Sequence, residues 1–128
     1  MFRFFFPSLF VSIAMLCSFQ PKNDLIENIF EALKNNQSKS IVKYFGSSVN
    51  LSLNGEERMS TKFQSELLLD QFFKEYPINS IKVVSSGGNQ QSNSYIVYAI
   101  KAPKDSFQVV VKFMEIKGES SIFEFKIY

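Results

Sequence analysis

Apolar and polar side chains alternate most regularly in the last third of the chain. Three consecutive strands are predicted there, Ser94–Ala102, Ser106–Lys117 and Ser121–Tyr128. Alternation assigns their faces. Ile96, Tyr98 and Ile100 make one apolar row, Phe107, Val109, Val111 and Phe113 a second, and Phe123, Phe125 and Ile127 a third. Ala102-Pro103-Lys104-Asp105 has proline at the second position of a tight turn, where its fixed φ fits. That turn predicts Ile100 opposite Phe107, Tyr98 opposite Val109, and Ile96 opposite Val111. A four-residue turn at Lys117–Ser120 then throws the last two strands one row out of phase. An extra residue at Phe113, a β-bulge, brings Val111 back opposite Phe125 and Lys112 opposite Glu124. Met114 and Ile116 then take over the apolar row. Bulges bend strands, so the sheet should be strongly curved.

Upstream, the period changes to that of helices. Leu25, Ile26, Ile29, Phe30 and Leu33 recur on one helical face, with Asn23 or Asp24 as cap and an end near Lys34. Ser38 can start a short second helix carrying Ile41, Val42, Tyr44 and Phe45, stopped by Gly46 as an αL residue. Val49, Leu51 and Leu53 alternate as a strand, and Asn54-Gly55 turns it into a short returning strand, Glu56–Ser60. The longest helix runs from about Lys62 to Tyr76. Thr61 and Gln64 stand at capping-box spacing before it, and Pro77 ends it. Phe63, Leu67, Leu68, Phe72 and Tyr76 are its expected buried stripe, with Glu66 and Asp70 outward. Ile81, Val83 and Val84 form a further strand, and Gly87–Asn93 reads as a polar loop without a phosphate-binding pattern.

Residues 1–20 are read as a signal peptide and 21–128 as one domain. Arg3 supplies the positive start and Phe4–Cys17 an apolar run interrupted by Pro7 and Ser8. That run is shorter than the roughly 20 apolar residues of a spanning helix. Cleavage within Ala14–Gln20 is expected, giving an exported protein, periplasmic or secreted, with no membrane span after cleavage. A retained anchor is one alternative. Lipid attachment at Cys17 is another, though Ala14-Met15-Leu16 fits that signal badly. Cleavage after Cys17 would remove the chain's one cysteine, and with it disulfide and thiolate chemistry.

Charge adds little: 14 basic against 12 acidic residues, with the lysines scattered. A nucleic-acid groove needs a clustered basic excess, so no nucleic-acid partner is expected. The chain has no histidine, which removes the commonest general base and metal ligand. No Asp/Glu cluster has ligand spacing, so neither a metal nor a cofactor is expected.

The order helix, helix, strand, strand, long helix, four strands resembles the nuclear transport factor 2-like (cystatin-like) superfamily. That resemblance implies an α+β, cone-shaped domain with a curved antiparallel sheet wrapped around a long helix. It narrows at Tyr44-Phe45, Val49-Asn50-Leu51, Gly55, Ser60–Glu66, Phe72-Phe73 and the closing Phe123–Ile127. There the chain resembles an exported family of Bacteroidetes-type bacteria, domain-of-unknown-function family 4783. The resemblance implies a fold and a compartment, and no activity.

Superfamily members of this shape include isomerases and dehydratases that work inside the cone. By periodicity Glu66, Asp70, Glu115 and Glu124 point outward, so no carboxylate base is placed there and no catalytic residue is assigned. Tyr44, Tyr76 and Tyr98 are the candidates for lining a pocket for a small apolar ligand; the reading of each as a core aromatic with its hydroxyl satisfied at the edge ranks ahead of that. Tyr95, Val97, Ala99 and Val110 are the interface candidates. They lie on the outer sheet face beside Lys112, Glu124 and Lys126, an apolar centre with a charged rim that suits a protein partner or a homodimer. Scattered surface valine needs no such explanation. A non-catalytic binding or interaction module ranks first, and a small-molecule enzyme of the isomerase or dehydratase type second.

Overall fold

The computed structural model describes residues 21–89 and 93–128; the leader, with Arg3 and Cys17, and residues 90–92 of the expected polar loop lie outside them. Three helices, α1 (Pro21–Lys34), α2 (Ser38–Val42) and α3 (Lys62–Glu75), pack against one sheet. Its strands are β1 (Phe45–Leu53), β2 (Glu56–Ser60), β3 (Ser80–Asn89), β4 (Asn93–Lys101), β5 (Ser106–Ile116) and β6 (Glu119–Ile127). They lie in the order β2-β1-β6-β5-β4-β3. Every neighbouring pair is antiparallel except β1 and β6, so the sheet is mixed at one seam.

The β4–β5 register follows the Pro103 turn as expected. Ile100 pairs with Phe107, Tyr98 with Val109 and Ile96 with Val111, and all six are buried. The next hairpin differs. Lys117 (φ 54°) and Gly118 (φ 82°) both take positive φ, the geometry of a two-residue turn whose twist matches the strands it joins. Ile116 therefore pairs with Glu119, and Phe113 with Ile122. This tighter closure moves the extra residue to the other strand: Phe123 is the bulge, between Ile122 and Glu124. Lys112–Glu124 and Val111–Phe125 still pair. Phe113 stays in the core, and Ile116 is exposed.

Helix α3 is capped as its sequence indicates, Thr61 Oγ1 accepting from the Gln64 amide and Gln64 Oε1 from the Thr61 amide. Its buried face is rotated from the expected stripe. Ser65, Leu69, Phe72 and Phe73 are buried, while Leu67 is 49% and Phe63 71% exposed. Six apolar residues cover much of this helix, so two apolar ladders compete. The one that contains Ser65, whose hydroxyl donates to the buried Ser60 at 2.9 Å, faces the sheet.

Helix α1 buries Leu25, Ile29, Ala32 and Leu33. It ends on Asn36 at φ 57°, with Gln37 N donating to Ala32 O (2.8 Å) and Asn36 N to Leu33 O (3.1 Å), a Schellman-type stop. The Asn36 carboxamide then meets Ile78 through both of its groups, accepting from the amide (2.8 Å) and donating to the carbonyl (3.2 Å). Gly46 is no helix stop; it belongs to β1. Gly87 and Gly88 are paired with Tyr95 and Ser94, so the β3–β4 hairpin extends into what the sequence suggested was loop. The core between helices and sheet is continuous, from Leu25 and Ile29 through Leu69, Phe72 and Phe73 to Tyr98, Val109, Phe125 and Ile127.

Candidate functional site

The three tyrosines suggested as pocket lining occupy separate surroundings. Tyr98, on β4, is fully buried and donates from its hydroxyl to Ile26 O of α1 at 2.9 Å. Burial pushes its pKa upward. Its ring lies 6.3 Å from Phe30, so side chains fill the space around it. Tyr76, at the end of α3, packs at a tilt against Phe72 (5.0 Å) and edge-on against Phe107 (5.1 Å). The Glu75 carboxylate beside it, then partial burial and Asp105, raise its pKa. Tyr44 accepts from Asn28 Nδ2 at 2.6 Å, and Lys43 Nζ stands 5.5 Å from its ring centre. Tyr44 and Tyr76 line different open clefts, and Tyr98 reaches no surface.

The interface candidates do share a face. Val97 pairs with Val110, Ala99 with Gln108 and Tyr95 with Lys112, on the side of the sheet away from the helices. Tyr95 is 40% exposed, and its ring covers Gly87, where an added Cβ would come within 3.1 Å of it. Beside this patch runs a chain of alternating charge. Lys112 meets Glu124 at 3.4 Å, Glu124 meets Lys126 at 3.8 Å, and Lys126 meets Glu57 at 3.9 Å. Asn50 Nδ2 donates to Glu57 at 2.8 Å.

Among the described residues the buried polar side chains are four serines, Ser38, Ser52, Ser60 and Ser65. The carboxylate reaching closest to them is Asp70, which accepts from the Ser38 hydroxyl and is itself exposed. No described group of three or more potential ligands could hold a metal ion, and no described helix is long and apolar enough to cross a membrane.

One cleft escaped the sequence reading. About 410 Å³ in volume, it is bounded by Lys43, Tyr44 and Phe45 before and at the start of β1, Lys62 of α3, and Ile116, Lys117, Glu119, Ser120 and Ser121 around the β5–β6 turn. Its residues come from three distant parts of the chain, so no local motif announces it. The seam between β1 and β6 assembles it: Phe45 pairs with Ile122, and Ile122 N donates to Tyr44 O at 2.8 Å.

This arrangement of a curved, unclosed sheet over three helices has relatives. The model of the family described as Domain of unknown function (DUF4783) matches residues 26–127. The chain belongs to the DUF4783 family. Crystal structures of DUF4783 family proteins are similar to it. One from Bacteroides ovatus is 20% identical with TM-score 0.73, covering 78% of this chain and 90% of its own. One from Bacteroides uniformis is 21% identical with TM-score 0.73, covering 79% and 93%. An NTF-2-like protein of unknown function from Shewanella oneidensis is 14% identical with TM-score 0.56, covering 84% and 95%. At these identities the likeness is one of fold: the DUF4783 chain is an α+β domain of nuclear transport factor 2-like shape. No curated protein matches it.

Proposed function

We propose that this DUF4783 chain is an exported, non-catalytic interaction domain whose contact surface is the outer face of the sheet. The carrying observation is the filled interior. Tyr98, Phe72, Phe73, Phe107 and Phe125 are buried where a ligand chamber would lie, and every described carboxylate is at least partly exposed. Specific contact is thereby left to the surface. On the outer face Val97 and Val110 are cross-strand neighbours, half-buried, with Tyr95 and Ala99 adjoining and the Lys112–Glu124–Lys126–Glu57 chain beside them. An apolar centre with a polar border is the usual anatomy of a modest interface. A two-fold dimer would present the same patch twice, so one substitution is felt twice.

Light scattering tests this. The wild type should be dimeric at high concentration, and Val110→Glu should give a folded monomer. A monomeric wild type refutes the dimer. Intact-mass measurement on protein from the native host tests export: the mature chain should begin between Met15 and Lys22, and a full-length mass retaining Met1 refutes it.

A further inference from the structure

The cleft between β1, α3 and the β5–β6 turn has an electrostatic character that the outer face lacks. Three lysines border it, Lys43, Lys62 and Lys117, against a single carboxylate, Glu119. Among the described residues none of the three lysines forms a salt bridge, whereas Lys112 and Lys126 on the outer face are both paired. Three ammonium groups held around one concavity repel each other, and an anion placed among them relieves that repulsion. Lys62 is the first residue of α3, so the positive end of that helix dipole adds to the same field.

The floor is suited to the same ligand. Ser120 and Ser121 are half-buried, and neither hydroxyl has a hydrogen-bond partner among the described residues. The Ser121 hydroxyl, on the same strand face as the cleft residues Ile116 and Glu119, can therefore donate, whereas Ser120 points to the opposite face. Opposite Ser121, Gly46 carries no side chain, and a Cβ there would come within 3.3 Å of Ser121 Oγ. The volume, about 410 Å³, lies in the range of small-molecule sites and exceeds what a lone inorganic phosphate would fill. Ile116, which is exposed, and Tyr44 supply apolar wall for the rest of such a molecule.

We propose that this cleft binds a small organic molecule through a multiply charged oxyanion, a phosphate or its equivalent, held by Lys43, Lys62 and Lys117 with the Ser121 hydroxyl. The site is separate from the outer sheet face, and either proposal can fail alone.

The test is an amide-shift titration of the ¹⁵N-labelled protein with inorganic pyrophosphate at constant ionic strength. Saturable shifts should cluster at Gly46 and residues 117–121. The double variant Lys43→Met/Lys117→Met should weaken binding at least tenfold, while Lys82→Met/Lys104→Met, remote from the cleft, should leave it unchanged. Raising salt should weaken binding too, because exposed charges are screened. Shifts spread evenly over all surface lysines, or surviving the double variant, would overturn the proposal, as would no shifts at all. Should the double variant fold poorly, Lys62→Gln alone must still reduce affinity. Pelleting with phosphatidylglycerol vesicles that the same substitutions abolish would assign the oxyanion to a lipid headgroup; pyrophosphate binding without pelleting would assign it to a soluble compound. Both results uphold the cleft.

Discussion

Replacing Leu69 by alanine should destabilise the domain far more than the same change two residues earlier. Leu69 is fully buried between α3 and the sheet, with Phe72 and Phe73 beside it in the continuous core. Truncating such a leucine forfeits its transfer free energy and leaves a cavity, together about 2–5 kcal/mol. Leu67 is 49% exposed and has already kept half its surface in water, so its truncation should cost about 1 kcal/mol or less. In urea, with a slope of roughly 1–3 kcal/mol per molar for a small domain, Leu69→Ala should lower the midpoint by about 1–3 M. Leu67→Ala should move it by a few tenths of that. Far-UV dichroism and tyrosine fluorescence should report the same transition in each variant. Equal shifts for the two variants, or a larger one for Leu67, would mean that α3 presents its other apolar ladder to the sheet.

Asn36→Ala should cost about 3 kcal/mol by urea unfolding, because it puts an ordinary residue at φ 57° and leaves both backbone groups of the buried Ile78 without partners. Asn36→Gly relieves the conformational part alone and should recover about 1 kcal/mol of that loss. Tyr98 supplies a pH dependence. Burial raises its folded pKa above the ordinary value near 10, so the unfolded chain gives up this proton first. Stability should be fully present below about pH 10 and fall as pH rises beyond it. Tyr98→Phe should flatten that fall, at a cost of about 1 kcal/mol at neutral pH for the lost bond to Ile26 O. An unchanged alkaline slope in the variant would refute the assignment.

What could be read from the chain alone was whatever a local rule determines. Pro103 restricts its own turn, and the β4–β5 register followed from it residue by residue. Thr61 and Gln64 stand three apart before an apolar run, and the capping box formed. Lys117 misled because a non-glycine residue at positive φ is uncommon. Counting a longer turn there placed the bulge on β5, at Phe113, when it belongs to β6, at Phe123. The face of α3 was ambiguous because Phe63, Leu67 and Leu68 satisfy helical spacing as well as Leu69, Phe72 and Phe73 do. Nothing local marks the parallel pairing of β1 with β6, since it joins segments more than seventy residues apart. The lysine cleft depends on that pairing, and so it was invisible. The outer-face neighbours Val97 and Val110 were legible because they depend only on the Pro103 turn.

The bulge at Phe123 also decides how the two proposed surfaces relate. It divides β6 into a first half, Glu119–Ile122, and a second, Glu124–Ile127, and shifts the pairing with β5 by one residue between them. Ser120 and Ser121 in the first half line the cleft, whereas Glu124 and Lys126 in the second carry the ion chain of the outer face. Their immediate charged neighbours do not overlap: Lys43, Lys62, Lys117 and Glu119 on one side, Lys112, Glu57 and the second half of β6 on the other. Each half is held in the core by a buried side chain, Ile122 in the first and Phe125 in the second. Substitutions that share no partners are expected to act additively. Val110→Glu should therefore leave pyrophosphate affinity at the cleft unchanged within about twofold, and Lys43→Met/Lys117→Met should leave the oligomeric state unchanged. If converting the dimer to a monomer abolishes anion binding, the cleft is completed across the interface, and the independence of the two surfaces is wrong.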